Sequence, residues 1–272
     1  MPIEPTSDSI YLWKDGEYNV DSDGSFKPWL DTFLIDADTP KPAILICPGG
    51  GYAFRSAREA NPVARRFNEL GFHAFVVHYS IAKHPQPVMD MSRAVRIVRS
   101  RAGEWMVDPS KIAVCGFSAG GHLAASIGVH YGKNYLRETG EFANFSNRPD
   151  AMILSYPVIT SGEYAHRPSF DYLLGENASD AALREMSLEL HVDSSTPPAF
   201  LWHTADDPAV PVENSLMFAS ALRRHSVAFE MHIFGTGPHG FSLATEETRD
   251  HGMPNDPHVA TWIELCAEWV RK

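Results

Sequence analysis

The chain has 272 residues, 44% of them hydrophobic and 21% charged, with a formal net charge of −11. That length suits one large α/β domain or two small ones, and the acidic balance excludes nucleic acid and anionic membrane surfaces as natural partners. No apolar stretch reaches the roughly 20 residues of a membrane-spanning helix, and no repeat or low-complexity run interrupts the composition.

The start, Met1-Pro2-Ile3-Glu4-Pro5, has neither the basic nor the apolar region of a secretion signal. Cys47, Cys115 and Cys266 are odd in number and far apart, two at the ends of apolar runs and one on a helix. They are expected to be buried free thiols, and the chain is expected to be cytoplasmic.

In chain order, residues 8–36 hold short β-like pieces, Ile10-Tyr11-Leu12-Trp13 and Thr32-Phe33-Leu34-Ile35, with Asp and Gly turns between them. They predict antiparallel strands at one edge of a sheet. Residues 43–47 are a wholly apolar strand that runs into Pro48-Gly49-Gly50-Gly51-Tyr52. Asn61 is a good N-cap with Pro62 behind it, Val63, Phe67 and Leu70 make a helical stripe, and Gly71 supplies the stop. Residues 72–79 read as the next strand, and Pro87 opens a helix with Val88, Met91, Val95, Val98 and Ala102 on one face.

Residues 111–115 are again an apolar strand, followed by Gly116-Phe117-Ser118-Ala119-Gly120 and then by helix-forming sequence from Leu123 to Ile127. Strands follow at 151–156, 199–203 and 227–234, with a helix over 211–222. A last helix is capped by Asp256 and buries Val259, Trp262, Ile263, Cys266 and Val270. Residues 157–197 read as a polar, turn-rich insertion with short helical pieces near 170–174 and 180–190. Strands apolar on both faces, alternating with helices of 10–15 residues, predict an α/β fold with a mostly parallel sheet covered on each side. No Pro/Gly/Ser-rich linker divides it, so residues 1–272 are expected to be one domain, with 157–197 covering the active site as a partial lid.

Gly116-x-Ser118-x-Gly120 between a strand and a helix is the pattern of a nucleophile elbow. The serine sits in a strained turn that demands small neighbours, and the helix points its free N–H groups and positive dipole end at the oxygen attached to the reacting carbon. A serine hydroxyl needs a base. His239, in Gly237-Pro238-His239-Gly240-Phe241, has the right intrinsic pKa, and Asp207, in Asp206-Asp207-Pro208-Ala209-Val210-Pro211, would fix its tautomer. Both loops leave the carboxyl ends of strands, where parallel sheets carry their working residues. The glycines after residue 47 let the backbone approach a ligand, so the N–H groups of Gly50, Gly51 and Ala119 are the expected oxyanion donors.

The other histidines of the thirteen have duller readings. His73, His78, His84, His130, His225 and His232 are expected at the surface or satisfied within strands, and His122, one turn past the serine, is expected to pack within its helix. No HExxH or Cys/His ligand spacing appears, so no metal and no cofactor is expected. A glycine-rich phosphate loop, which would make this a nucleotide-binding protein, calls for GxGxxG or GxxxxGK[ST], and neither is present.

Together, Pro48 to Tyr52, Gly116 to Ala125, His203 to Val210 and His239-Gly240-Phe241 resemble the acetyl esterase/lipase branch of the α/β-hydrolases, and more closely its acetylxylan-esterase-like members. The resemblance runs from about residue 43 to 242 and implies the triad Ser118, Asp207 and His239, with Asp207 fitting the family's Asp-Pro-x-Val-Pro better than Asp206. From its position just past the oxyanion glycines, Tyr52 is expected to crowd the acyl pocket and bind substrate. Pro48 stands where the hormone-sensitive-lipase-like group carries His before Gly-Gly-Gly, and that group's N-terminal helical cap is not evident. The expected activity is a serine carboxylic-ester hydrolase removing small acyl groups, acetyl from sugars or xylo-oligosaccharides, through an acyl-enzyme. Its partner would be a small-molecule ester, with no nucleic acid, no membrane, and room for a homo-oligomer. A serine peptidase of the prolyl-oligopeptidase kind and a non-catalytic hydrolase-fold binding module are the other readings.

Overall fold

The computed structural model describes residues 5–7, 9–18, 26–249 and 253–272. Part of the turn-containing stretch expected between the first two strands, residues 19–25, lies outside the described residues, as do residues 1–4. Among the described residues, eight strands form one sheet in the order β1-β2-β4-β3-β5-β6-β7-β8. The edge pair β1 (Ile10–Tyr11) and β2 (Trp29–Phe33) is antiparallel, as expected, and β2 also runs antiparallel to β4 (His73–His78). From β4 onward every pairing is parallel, through β3 (Lys41–Cys47), β5 (Val107–Phe117), β6 (Ala151–Ser155), β7 (Ala199–Thr204) and β8 (Phe229–Phe234).

Burial on both faces follows from the strand sequences. Leu45 and Cys47 point into one core with Met91, Val95 and Leu123, while Ile44 and Ile46 point into the other with Phe67, Trp262 and Cys266. Successive side chains of a strand point to opposite faces, so a strand covered by helices on both faces must be apolar at consecutive positions. On the first side lie α2 (Gln86–Ser100), α3 (Ala119–His130) and α6 (Glu213–Arg224); on the second lie α1 (Asn61–Glu69) and α7 (Trp262–Arg271). The insertion contributes α4 (Arg167–Leu174) and α5 (Asp180–Glu185).

Boundaries move for local reasons. β5 begins at Val107 because that residue pairs with Lys41, after which the register jumps so that Ala43 faces Ile112 and residues 108–111 bulge outward. Asp256 Oδ1 accepts from the N–H groups of His258 and Val259, at 2.9 and 3.1 Å, and so caps a 3-10 turn that leads into α7 rather than α7 itself. Asn61 is the first residue of α1, with Pro62 in its opening turn and Gly71 at φ +84° just beyond its end. Cys47, Cys115 and Cys266 are buried free thiols, as expected.

Candidate active site

The site is built at the carboxyl ends of β3, β5, β7 and β8. β5 pairs with both β3 and β6, so the residue after Phe117 emerges at the centre of the sheet. Ser118 there has φ +53° and ψ −119°, a region that side-chain-bearing residues rarely occupy, and its N–H and C=O are tied to Ser155 O and Val158 N at 3.0 Å each. The flanking glycines are steric requirements. A Cβ on Gly116 would lie 2.0 Å from Gly120 O, and one on Gly120 would lie 2.1 Å from Cys47 O.

The structure brings three of the sequence-derived residues into one hydrogen-bonded line. His239 Nε2 stands 2.8 Å from Ser118 Oγ, and its Nδ1 stands 2.7 Å from Asp207 Oδ2. Nδ1–H therefore donates to the carboxylate, and Nε2 is left to accept the serine proton. Asp207 Oδ1 accepts from the N–H groups of Ala209 and Val210, both at 2.9 Å. Burial pushes this carboxyl up, but hydrogen bonds from His203 and His239, the imidazole charge and the Val210 N–H outweigh it and hold Asp207 well below the usual carboxylate range. Asp206 is exposed and accepts from Gly237 N at 2.8 Å instead. Adjacent aspartates thus have separate roles: Asp207 orients the imidazole, while Asp206 ties down the loop that carries it.

At the end of β3, the Gly49 N–H is taken by Glu59 Oε2 at 2.8 Å. Gly50 and Gly51, at φ +125° and +64°, then turn past Ser118, and the Gly50 Cβ position is filled by Phe54 O at 2.3 Å. Ala119 opens α3, so its N–H has no carbonyl one turn back to donate to. Gly50, Gly51, Ser118 and His239 face a common cavity of about 410 Å³, whose other walls include Phe54, His166 and Tyr172. A larger cavity of about 630 Å³ lies between residues 243–247 and α7, but its walls contain no histidine or cysteine.

Tyr52 requires a correction. Its side chain is only 2% exposed and packs beside Tyr79, with Oη 2.9 Å from His122 Nδ1. At φ +61° the backbone swings this ring into the core rather than toward the cavity, so Tyr52 supports the loop from below. Of the bulky groups in the insertion, Phe170 and Leu173 are also core, whereas Tyr172, 53% exposed, is on the cavity wall. His166 and Pro168 stand on the same wall at the start of α4.

Glu59 is the residue that sequence reasoning missed. It is 3% exposed, and while Oε2 holds Gly49, Oε1 accepts from Tyr156 Oη at 2.7 Å. Tyr156 Oη in turn accepts from Ser242 N at 2.9 Å, and its ring meets the His239 ring edge-on with centroids 5.1 Å apart. One buried carboxylate therefore links the glycine loop to the histidine loop. His203, on β7, was also missed as a support: its Nε2 lies 3.0 Å from Val210 O and 3.4 Å from Asp207 Oδ2.

Comparison with known proteins agrees with this architecture. The BD-FAE family model matches residues 30–222. A solved acetyl ester-xyloside bifunctional hydrolase from Caldicellulosiruptor lactoaceticus superposes with a TM-score of 0.90 at 40% identity, covering 98% of this chain and 96% of that one. A carboxylesterase from Lactobacillus plantarum WCFS1 superposes at 0.79 with 28% identity, covering 93% and 95%. In sequence, the chain is 41% identical to endo-1,4-beta-xylanase B of Butyrivibrio fibrisolvens over 87% of its length, and 33% identical to an acetylxylan esterase of Xylanibacter ruminicola over 84%. It spans only 38% and 46% of those two relatives. The chain belongs to the BD-FAE family and has the α/β-hydrolase fold.

Proposed function

We propose that this chain hydrolyses carboxylic esters through a serine acyl-enzyme, removing small acyl groups and acetyl above all from acetylated sugars such as xylo-oligosaccharides. The observation that carries the reading is the line from Ser118 Oγ through His239 to Asp207, at 2.8 and 2.7 Å, beneath the Gly50 and Gly51 turn. Ser118 Oγ attacks the acyl carbon while His239 Nε2 takes its proton. The negative carbonyl oxygen of the tetrahedral intermediate is met by the N–H groups of Gly50, Gly51 and Ala119. Asp207, held ionised, stabilises the imidazolium, which then protonates the departing alcohol oxygen. Water, deprotonated by the same imidazole, attacks the acyl-serine and releases the acid.

The names of the relatives, an acetylxylan esterase and an acetyl ester-xyloside hydrolase, favour an acetylated sugar as the alcohol side. Phe54, His166, Pro168 and Tyr172 wall the cavity beside Ser118, and their bulk favours a short acyl group. The insertion acts as a partial lid through His166 and, on α4, Pro168 and Tyr172. A cytoplasmic location belongs to the same proposal, since three buried free thiols suit a reducing compartment. Among the described residues, no helix is long and apolar enough to cross a membrane.

The test is initial rates on p-nitrophenyl acetate, butyrate and octanoate, together with acetate release from acetylated xylo-oligosaccharides. Acetyl esters should exceed butyryl esters in kcat/KM by about tenfold or more, with octanoyl esters barely turned over. A maximum at eight carbons, or no acetate from the sugar, would overturn the acetyl-sugar reading.

A further inference from the structure

Where the insertion docks on α3, well away from the serine, a second cluster of coordinating groups comes together. His130 is the last residue of α3, and Ala119 at its other end is roughly 17 Å distant at 1.5 Å per residue. Glu185 is the last residue of α5, and His191 closes the 3-10 turn that follows. One potential ligand atom from each of the three residues lies within 4.8 Å of the others. His191 Nε2 and Glu185 Oε2 are 3.7 Å apart, and the two imidazole rings meet edge-on with centroids 4.7 Å apart.

One buried polar group of the cluster lacks a partner among the described residues. His130 is 1% exposed, and while its Nε2 lies 3.3 Å from Glu185 O, its Nδ1 has no hydrogen-bond partner among the described residues. Buried polar atoms are almost always satisfied by protein, water or an ion, so an orphaned imidazole nitrogen in a cluster with Glu185 and His191 points to an occupant.

We propose that His130, Glu185 and His191 bind a divalent cation of borderline softness, zinc being the best match, which fastens the insertion to α3. Two imidazoles and a carboxylate favour zinc over magnesium or calcium, which take oxygen ligands. Ligands about 2.0–2.1 Å from a tetrahedral zinc stand about 3.3 Å from each other, so the His191–Glu185 pair is within a few tenths of an ångström of that spacing. The widest separation must contract further, which rotation of the half-buried His191 and Glu185 side chains allows. Lys133 Nζ holds the other Glu185 oxygen, Oε1, at 2.7 Å, so Oε2 stays available to the metal. Water completes the tetrahedron. The ion is structural, and the ester chemistry does not pass through it.

The test uses the whole chain after chelation and dialysis, titrated with zinc chloride by calorimetry and by thermal unfolding, with cobalt(II) as a spectroscopic substitute. We expect one equivalent bound, a Tm that climbs by several degrees as free zinc rises to a hundred times Kd, and tetrahedral cobalt absorption. His191→Ala and Glu185→Gln, at half-buried positions, should fold, keep p-nitrophenyl acetate turnover, and lose the zinc-dependent Tm rise and the cobalt spectrum. Absence of binding by the parent chain would overturn the proposal. So would binding that survives unchanged in both variants, because it would place the metal elsewhere.

Discussion

Replacing Glu59 by glutamine probes the link between the two loops of the site. The carboxylate satisfies two buried donors, the Gly49 N–H at 2.8 Å and the Tyr156 O–H at 2.7 Å. An amide of the same shape offers only one acceptor oxygen and turns an NH2 toward the other donor. Leaving one buried donor unmet costs about 1–3 kcal/mol, and for a chain of this size about 2 kcal/mol lowers Tm by about 4–8 °C. The catalytic effect follows from displacement. Loss of one oxyanion donor costs about 10²–10³ in kcat, and a shifted Gly50 and Gly51 turn would lose part of that, so kcat should fall about tenfold to a hundredfold. KM should stay within about threefold, because the interaction is made in the transition state. Glu59→Asp, one methylene shorter, should reach only one of the two donors and behave similarly. Steady-state kinetics on p-nitrophenyl acetate, beside a thermal melt, measures both effects. A Glu59→Gln protein with parental Tm and kcat would refute the idea that this carboxylate sets the loop.

Asp207→Asn should remain folded and lose on the order of 10⁴ in kcat, since the amide would favour the wrong imidazole tautomer, while Asp206→Asn, which touches Gly237 N rather than His239, should be far milder. An equal loss at Asp206 would reverse the assignment. His122 is fully buried, and burial lowers its pKa to about 4 despite the Met186 carbonyl. The unfolded chain therefore binds more protons than the folded one between about pH 6.5 and 4, and stability must fall as pH is lowered through that window. The full loss from this group is about 3 kcal/mol. Urea midpoints at pH 7 and 5 should show it, and a His122→Gln variant should show a smaller drop; identical pH dependence in both would contradict it.

Much of the scaffold is legible in the chain because local and global signals coincide. Residues 43–47 and 112–115 are apolar at every position, as only a strand buried on both faces needs to be, and Pro62 and Gly71 bracket α1. The elbow is legible because sterics leave no choice at Gly116 and Gly120. Supporting groups are not legible for the opposite reason. Glu59 is a charged residue in a loop, ordinarily solvated, and is buried only because Gly49 and Tyr156 arrive from distant segments. Tyr52 reads as a pocket residue from its position, yet the positive φ that Gly50 and Gly51 lead into turns it inward. His130, Glu185 and His191 come from α3, α5 and the turn after it, so no ligand spacing could reveal them.

The central claim is that Ser118 is the nucleophile of an acyl-enzyme. Its most direct test is intact-mass and peptide mass spectrometry after reaction with a fluorophosphonate, on the parent chain and on Ser118→Ala. One adduct should form on the parent, at Ser118, with loss of p-nitrophenyl acetate turnover in step with labelling, and the variant should be folded, unlabelled and inactive. An adduct at another residue, or turnover retained by Ser118→Ala, would contradict it.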